Sequence, residues 1–212
     1  MNVFEYISQG GPIMWIILFC SVIVTFIFLE KWFLFHREEI NVGELVKGLI
    51  NVLRRDGYIE AITLCDNTPG PVAHILMAAI QSYKDGEMNI KQSIEDAALI
   101  EIPRLEKHLN VMATIAYITP LLGLLGTVTG MMGAFRVINL KGAMVNAADM
   151  SGDIQMAMIT TAAGLCVAIP AYVAYNFLIS RVDSFTLEME KASSEIIYFF
   201  NNLKPDNNSD EK

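Results

Sequence analysis

Charge disappears from this chain in three places: Ile13 to Leu29, Val111 to Phe135 and Ile154 to Ile179 contain no ionisable residue of the Asp, Glu, Lys, Arg or His type. Each run is long enough, or nearly so, for the roughly 20 residues of a membrane-spanning helix. The pattern predicts three spans. Between the first and second, from His36 to Asn110, apolar residues return to helical spacing instead. In Val42 to Leu53 they fall at Val42, Leu45, Val46, Leu49, Ile50 and Leu53, one face of an amphipathic helix. "RDGY" and "DNTPGP" interrupt this segment, the second strongly because of Pro69, Gly70 and Pro71. A further helix is predicted from Val72 to Tyr83, ended by "KDG". Strand-like alternation occurs nowhere.

Two apolar stripes run past the ends of the spans. Ile102, Leu105, Leu109, Met112, Ala116, Thr119, Gly123, Gly126, Gly130 and Gly133 keep a spacing of three or four residues, bulky at first and glycine at the end. They predict one helix from Ile102 to Gly133, about 48 Å long. Gly164, Ala168, Ala171, Tyr175, Leu178, Val182, Phe185, Met189, Ala192, Ile196, Phe199 and Leu203 do the same in the other direction and cross Arg181 without losing phase. This predicts a helix of about 50 residues, near 75 Å. Pro103, Pro120 and Pro170 each remove a backbone bond and mark where these helices could kink. The expected fold class is an all-α integral membrane protein. It has three transmembrane helices, the second and third extended far into the cytoplasm, plus short cytoplasmic amphipathic helices. Spans two and three are joined by the 18 residues from Arg136 to Asp153 and form an antiparallel hairpin.

Composition then sorts the spans by neighbour. From Pro12 to Val42 there is neither Gly nor Ala. Val111 to Phe135 holds four Gly and three Ala, and Ile154 to Ile179 holds one Gly and six Ala. Membrane helices associate through small residues, since lipid gives apolar side chains no reason to leave it. The first span is therefore read as a lipid-facing shell and the other two as a packed interior. The overall composition agrees: 53% hydrophobic and 18% charged, with a mean hydropathy of +0.42.

Met1 to Gly11 contains no Lys or Arg, so the first run lacks the basic region of a signal peptide and is read as a retained helix. Nine Lys or Arg lie from Lys31 to Lys107, against Arg136 and Lys141 in the second connection. Basic residues near span ends stay in the cytoplasm, so the amino terminus is expected outside and the carboxyl terminus inside. The organisation read from this is a periplasmic amino terminus and lipid-facing first span at 1–35, a cytoplasmic helical region at 36–110, a two-span hairpin at 111–180, and a cytoplasmic helix with a disordered tail at 181–212. The net charge of −8 gives no basic face for nucleic acid. Cys20, Cys65 and Cys166 form neither a disulfide framework nor a metal pattern.

Thr127 lies on the glycine face of the second span. Thr161 lies with Ala157, Gly164 and Ala168 on a small face of the third, with Thr160 at its edge. A membrane threonine often bonds back to a carbonyl one turn earlier, yet two on small faces also fit a shared polar lining; both readings stand at this point. Spans two and three carry no Asp, Glu, Lys, Arg or His, so a proton path would need its charge from a partner. No nucleophile–base pair, phosphate loop or metal spacing emerges, and neither an enzyme nor a cofactor is expected.

"PLLGLLGTVTGMMGAF" (Pro120 to Phe135) followed by "TTAAGLCVAIPAYVAYNF" (Thr160 to Phe177) resembles the MotA/TolQ/ExbB proton channel family, closest to its ExbB and TolQ branch. The resemblance implies a bacterial inner-membrane homo-oligomer, a pentamer, whose second and third helices surround a pore. The pore holds the single span of an ExbD- or TolR-like partner that carries an intramembrane aspartate. The proton-motive force acts there, and work passes to a TonB- or TolA-like protein for outer-membrane transport or envelope maintenance. Thr127 and Thr161 match the two family threonines facing the pore, and Gly123, Gly126, Gly130, Gly133 and Gly164 would be the close-packing residues of the pore helices. One departure stands out. The family glutamate five residues before the threonine matching Thr161 is here Met156, in "GDIQMAMITT". Gln155 points about 100° away, and Asp153 is read as a helix-start residue. A MotA-like flagellar stator, which would resemble a four-span chain, and a non-conducting structural scaffold are the alternatives.

Overall fold

In the computed structural model, residues 10–86 and 89–203 are described. Among them the regular structure is helical: α1 (Gly11–Glu38), α2 (Val42–Leu53), α3 (Tyr58–Asp66), α4 (Pro71–Lys84), α5 (Ile90–Glu106), α6 (Leu109–Lys141), a single 3-10 turn at Gly142–Met144, and α7 (Ala147–Leu203). Three stretches are long and apolar enough to cross a membrane, beginning at Gly11, Ile90 and Ala147. The chain is an all-α membrane protein. The predicted disordered tail at 204–212 lies outside the described residues.

Chain contacts divide it into two compact units. One comprises the residues up to Lys31 together with His108–Leu178; the other comprises Trp32–Lys107 and the chain from Ile179 onward.

The second unit is a helical cluster with a conventional core. α2 begins where Asn41 accepts the Glu44 amide on its side chain, 3.3 Å, and it buries Val46, Leu49 and Leu53, a subset of its predicted apolar face. Pro71 opens α4, where its missing N–H costs nothing. Before it, Gly70 sits at φ +108 with the Glu38 carbonyl oxygen 2.9 Å from where a Cβ would stand, so a side chain is excluded there on two counts. Leu49, Leu53, Leu76 and Ile80 from α2 and α4 pack with Met189, Ala192, Ile196 and Phe200 of α7. Tyr83 stacks flat on Phe200 with ring centroids 4.1 Å apart. The α7 stripe thus follows the predicted spacing until its end, where Phe200 is the fully buried residue and Phe199 packs half-buried beside it. Cys65 is buried in this cluster, and burial pushes its thiol up to about 12 from 9.0. A shift of that size leaves on the order of a thousandfold less thiolate at neutral pH. Iodoacetamide at pH 8 is therefore expected to leave Cys65 unmodified in the native protein and to alkylate it after unfolding in SDS, as read by peptide mass spectrometry. Rapid native labelling would refute that burial. Because the folded value is the raised one, this group's contribution to stability is lost as pH climbs from about 9 towards 12.

Three expectations are corrected. The helix predicted from Ile102 to Gly133 is two helices, cut at Lys107 and His108. His108 takes the left-handed conformation, φ +70, and the new ladder starts with the Val111 and Met112 amides donating to its carbonyl. Histidine is among the few residues besides glycine that accept this region readily. Pro103, one turn earlier, has already removed a bond from the end of α5. Second, most of the 18-residue connection between the charge-free runs is itself helical, since α6 runs on to Lys141 and α7 starts at Ala147. Lys141 Nζ meets Asp149 Oδ1 at 2.5 Å, and the other carboxylate oxygen accepts the Asn146 amide at 3.0 Å, which clamps the turn. Third, it follows that Asp149, not Asp153, belongs to the helix start. Pro170, by contrast, does not interrupt α7, which continues for 57 residues.

Candidate functional site

Within the first unit, the small residues of α6 are pressed against α7 of the same chain. A Cβ added at Gly123 would stand 3.1 Å from Thr161 Cα. One at Gly130 would stand 2.6 Å from the Asp153 carbonyl, and one at Gly164 2.9 Å from the Thr119 carbonyl. At Gly126 it would overlap the Thr160 hydroxyl, and at Gly133 it would fall 2.8 Å from the Asp153 carboxyl carbon. All five glycines lie at close approaches to the other helix of the pair, so their face is not turned to an open axis. It is filled by the other helix of the hairpin. The physical reason is that a glycine ridge gives its largest van der Waals return where two backbones meet, and α7 offers the matching small ridge Ala157, Thr160, Gly164 and Ala168.

Threonines 119 and 160 are buried in this interface. Thr160 is 0% exposed and donates to the carbonyls of Met156 and Ala157, 3.0 Å each; Thr119 is 0% exposed and donates to Ile115 at 2.5 Å. Both satisfy their hydroxyls within their own helix, the usual fate of a membrane threonine. Thr160, expected at the edge of the small face, lies within it, against Gly126. Two adjacent threonines differ by about 100°, and the three-residue step from Ala157 was the signal that Thr160, not Thr161, meets the partner helix head-on.

Thr161 and Thr127 flank the contact. The Thr161 hydroxyl lies 3.0 Å from the Gly123 carbonyl of α6 and 3.0 Å from the Ala157 carbonyl of its own helix. The Gly123 carbonyl is the one that, in a regular helix, also accepts the Thr127 amide. Thr127 itself donates to the Leu124 carbonyl at 2.6 Å. At about 100° per residue, Thr127 sits roughly 40° to one side of the Gly123 line, and Thr161 roughly 60° to one side of the Gly164 line. In an antiparallel face-to-face pair both offsets point the same way. The edge-to-face contact of Tyr117 with Tyr172, 6.1 Å between centroids, marks that same side.

The opposite side belongs to α1. Its buried stripe is Met14, Ile17, Val24 and Ile27, while Trp15, Phe19, Val22 and Phe26 are exposed, the one-sided packing of a peripheral helix. Met156 reaches the start of α1, its methyl 2.5 Å from where a Gly11 Cβ would be, and Gly11 has φ +63. Further along, a crevice of about 280 Å³ is walled by Ser21, Thr25 and Phe28 of α1 and by Cys166, Val167 and Pro170 of α7. The two threonines therefore share the side of the hairpin that α1 leaves open, and Met156 is on the other. Gln155 is exposed and away from both.

Among the described residues the open side offers hydroxyls and apolar surface but no carboxylate, amine, guanidinium or imidazole within the charge-free runs. Hydroxyls orient water and accept or donate hydrogen bonds; they do not carry a charge at neutral pH. The ion pairs of this unit lie at the two ends of α6: His108 Nδ1 with Glu30 Oε2 at 3.4 Å at its start, and Lys141 with Asp149 past its end. No group of metal-ligating side chains occurs among the described residues.

Comparison with known proteins decides the family. The family model described as the MotA/TolQ/ExbB proton channel family matches residues 67–191, more than half of the chain, with all of α6 and α7 as far as Lys191. The chain belongs to the MotA/TolQ/ExbB family. Its relatives point to the ExbB branch. The biopolymer transport protein ExbB of Aquifex aeolicus is 35% identical over 120 residues, 57% of this chain and 80% of that protein. The protein of the same description from Neisseria meningitidis serogroup A is 25% identical over 214 residues, 92% of this chain and 96% of that one. An ExbB homolog of Methanothermobacter thermautotrophicus is 26% identical over 183 residues, 86% of this chain; the match spans 64% of that relative's length.

Proposed function

We propose that this chain is the ExbB-like subunit of a proton-motive-force-driven motor in the bacterial inner membrane. Its α6–α7 hairpins assemble, with five as the borrowed count, around the single span of an ExbD- or TolR-like protein. Thr127 and Thr161 hydrate or hydrogen-bond that partner's intramembrane aspartate as it changes protonation. The work reaches a TonB- or TolA-like protein, for outer-membrane transport or envelope maintenance. The amino terminus is periplasmic and the carboxyl terminus cytoplasmic.

The observation that carries this reading is the pairing of a family-wide match over the hairpin with two threonines on its open side. The absence of Asp, Glu, Lys, Arg and His from Val111 to Phe135 and from Ile154 to Ile179 supports a partner-borne acid. With Met156 in the place of the family glutamate, the partner aspartate is the sole intramembrane acid of the path. Co-expression and purification with the neighbouring gene product tests the assembly: a stable complex with a single-span, aspartate-bearing protein is expected. Recovery of this chain without any such partner counts against it.

The same lack of charge favours a second reading, a non-conducting helical scaffold. Proteoliposomes holding both proteins separate the two, because a motor passes protons down an imposed pH gradient and a scaffold does not.

A further inference from the structure

On the open side of the hairpin Tyr117 and Tyr172 meet with ring planes at 65°. They are 62% and 46% exposed, and among the described residues neither phenol oxygen has a hydrogen-bond partner in the chain. Both stand inside charge-free runs, Tyr117 six residues after Val111 and Tyr172 seven before Ile179. A hydroxyl without a partner is strongly disfavoured in hydrocarbon. These two therefore look for water or for another chain. Their edge-to-face contact holds the two rings together on one side, whereas an aromatic belt needs only that each ring reach the headgroups separately.

Position along the hairpin matters as well. Tyr117 is ten residues before Thr127 in α6, about 15 Å by helical rise, and Tyr172 is eleven residues after Thr161 in α7, about 16 Å. The two pairs are thus stacked on one side at two levels. Beyond the tyrosines towards the same end, Asn110 and Asn176 are exposed on that side. The side carries hydroxyls at one level, phenols at the next and amides at the last, with apolar residues such as Leu124 and Leu165 between.

Resting on the function proposed above, we propose that Tyr117 and Tyr172 form the wetted exit station of the proton path whose upper level is Thr127 and Thr161. The ligand is water. A distance of about 15 Å exceeds any direct hydrogen bond, so a short column of water joins the levels. At the exit each phenol oxygen accepts a proton from one water while its own proton passes to the next. The phenol ends as it began, with no ionised intermediate and no other reactant. These are positioning residues for the water column.

The test uses the complex with its single-span partner in proteoliposomes. Tyr117→Phe/Tyr172→Phe keeps both rings and their packing and removes only the hydroxyls. Proton flux is expected to fall about fivefold with assembly unchanged on size-exclusion chromatography. In a background with the three native cysteines replaced by serine, single Tyr117→Cys and Tyr172→Cys variants are expected to react with a charged, membrane-impermeant methanethiosulfonate. Labelling by a lipid-soluble maleimide alone, or flux equal to wild type in the double phenylalanine variant, overturns the station and makes the pair an interfacial anchor. In either case a conducting wild-type complex leaves the motor reading standing, whereas a wild-type complex that passes no protons overturns both.

Discussion

Gly130→Ala and Gly164→Ala are expected to lower the unfolding temperature of the purified protein by several degrees each, while Gly152→Ala raises it or leaves it unchanged. All three are glycine-to-alanine changes, so intrinsic helix propensity favours the alanine by about 0.5–1 kcal/mol in each. Surroundings decide the difference. The new methyl at Gly130 would lie 2.6 Å from the Asp153 carbonyl oxygen and 2.7 Å from Ala157 Cβ; at Gly164 it would lie 2.9 Å from the Thr119 carbonyl oxygen and 3.1 Å from Gly123 Cα. These are backbone and near-backbone atoms, which move only if the two helices separate. Overpacking of this kind costs roughly 1–3 kcal/mol, enough to reverse the propensity gain. A methyl at Gly152, inside α7, meets nothing within 4 Å. Thermal unfolding followed by fluorescence-detected size-exclusion chromatography in one detergent gives the comparison. If all three variants unfold together, the α6–α7 interface is not where the glycines place it.

The partner of that interface is not encoded in any local residue pattern. The charge-free runs are enough to find the spans, because a bilayer tolerates few charges wherever the helix is lipid-exposed. The amphipathic spacing of Val42 to Leu53 located α2 to the residue, since a soluble core rewards a single face. The α7 stripe held its phase from Ala168 to Ile196 for the same reason. Two things were hidden. A single left-handed residue at His108 breaks a helix without disturbing a three-to-four apolar spacing, so Leu105, Leu109 and Met112 read as continuous when they are not. Glycines, for their part, report that something approaches closely but not what it is. At Gly123, Gly126, Gly130 and Gly133 the neighbour is α7 of the same chain, and the residues left for any other helix are the flanking ones, Thr127 and Thr161 among them. The threonines were legible through the family resemblance; the side they share became legible only once Thr161 was seen bonding to Gly123. Met156 illustrates the same limit, its contact with Gly11 joining residues 145 positions apart, a distance no local pattern spans.

Thr127→Val and Thr161→Val separate folding from function, and here the expected effect on function is the larger. Valine keeps the branched shape of threonine and removes the hydroxyl. At Thr127 the lost bond is the local one to Leu124, and at Thr161 it is the bridge to Gly123 and Ala157, whose carbonyls keep their helical partners. Hydrogen bonds between membrane helices average about 0.6 kcal/mol, so the double variant should stay folded and assembled, with a stability loss on the order of 1 kcal/mol. If the two hydroxyls solvate a partner's titratable group, proton flux through the complex falls at least about tenfold, equivalent to about 1.4 kcal/mol in the rate-limiting step. Thr160→Val is the matched control. Its hydroxyl is just as deep in the membrane sequence but sealed against Gly126, so its removal should cost comparable stability and leave flux within about twofold of wild type. Stopped-flow pH-dye measurements on the three complexes decide the matter. Equal flux in the double valine variant and wild type, or an equal loss in Thr160→Val, would mean that the open side of the hairpin does not meet the proton, and that membrane threonines here serve only the backbone that carries them.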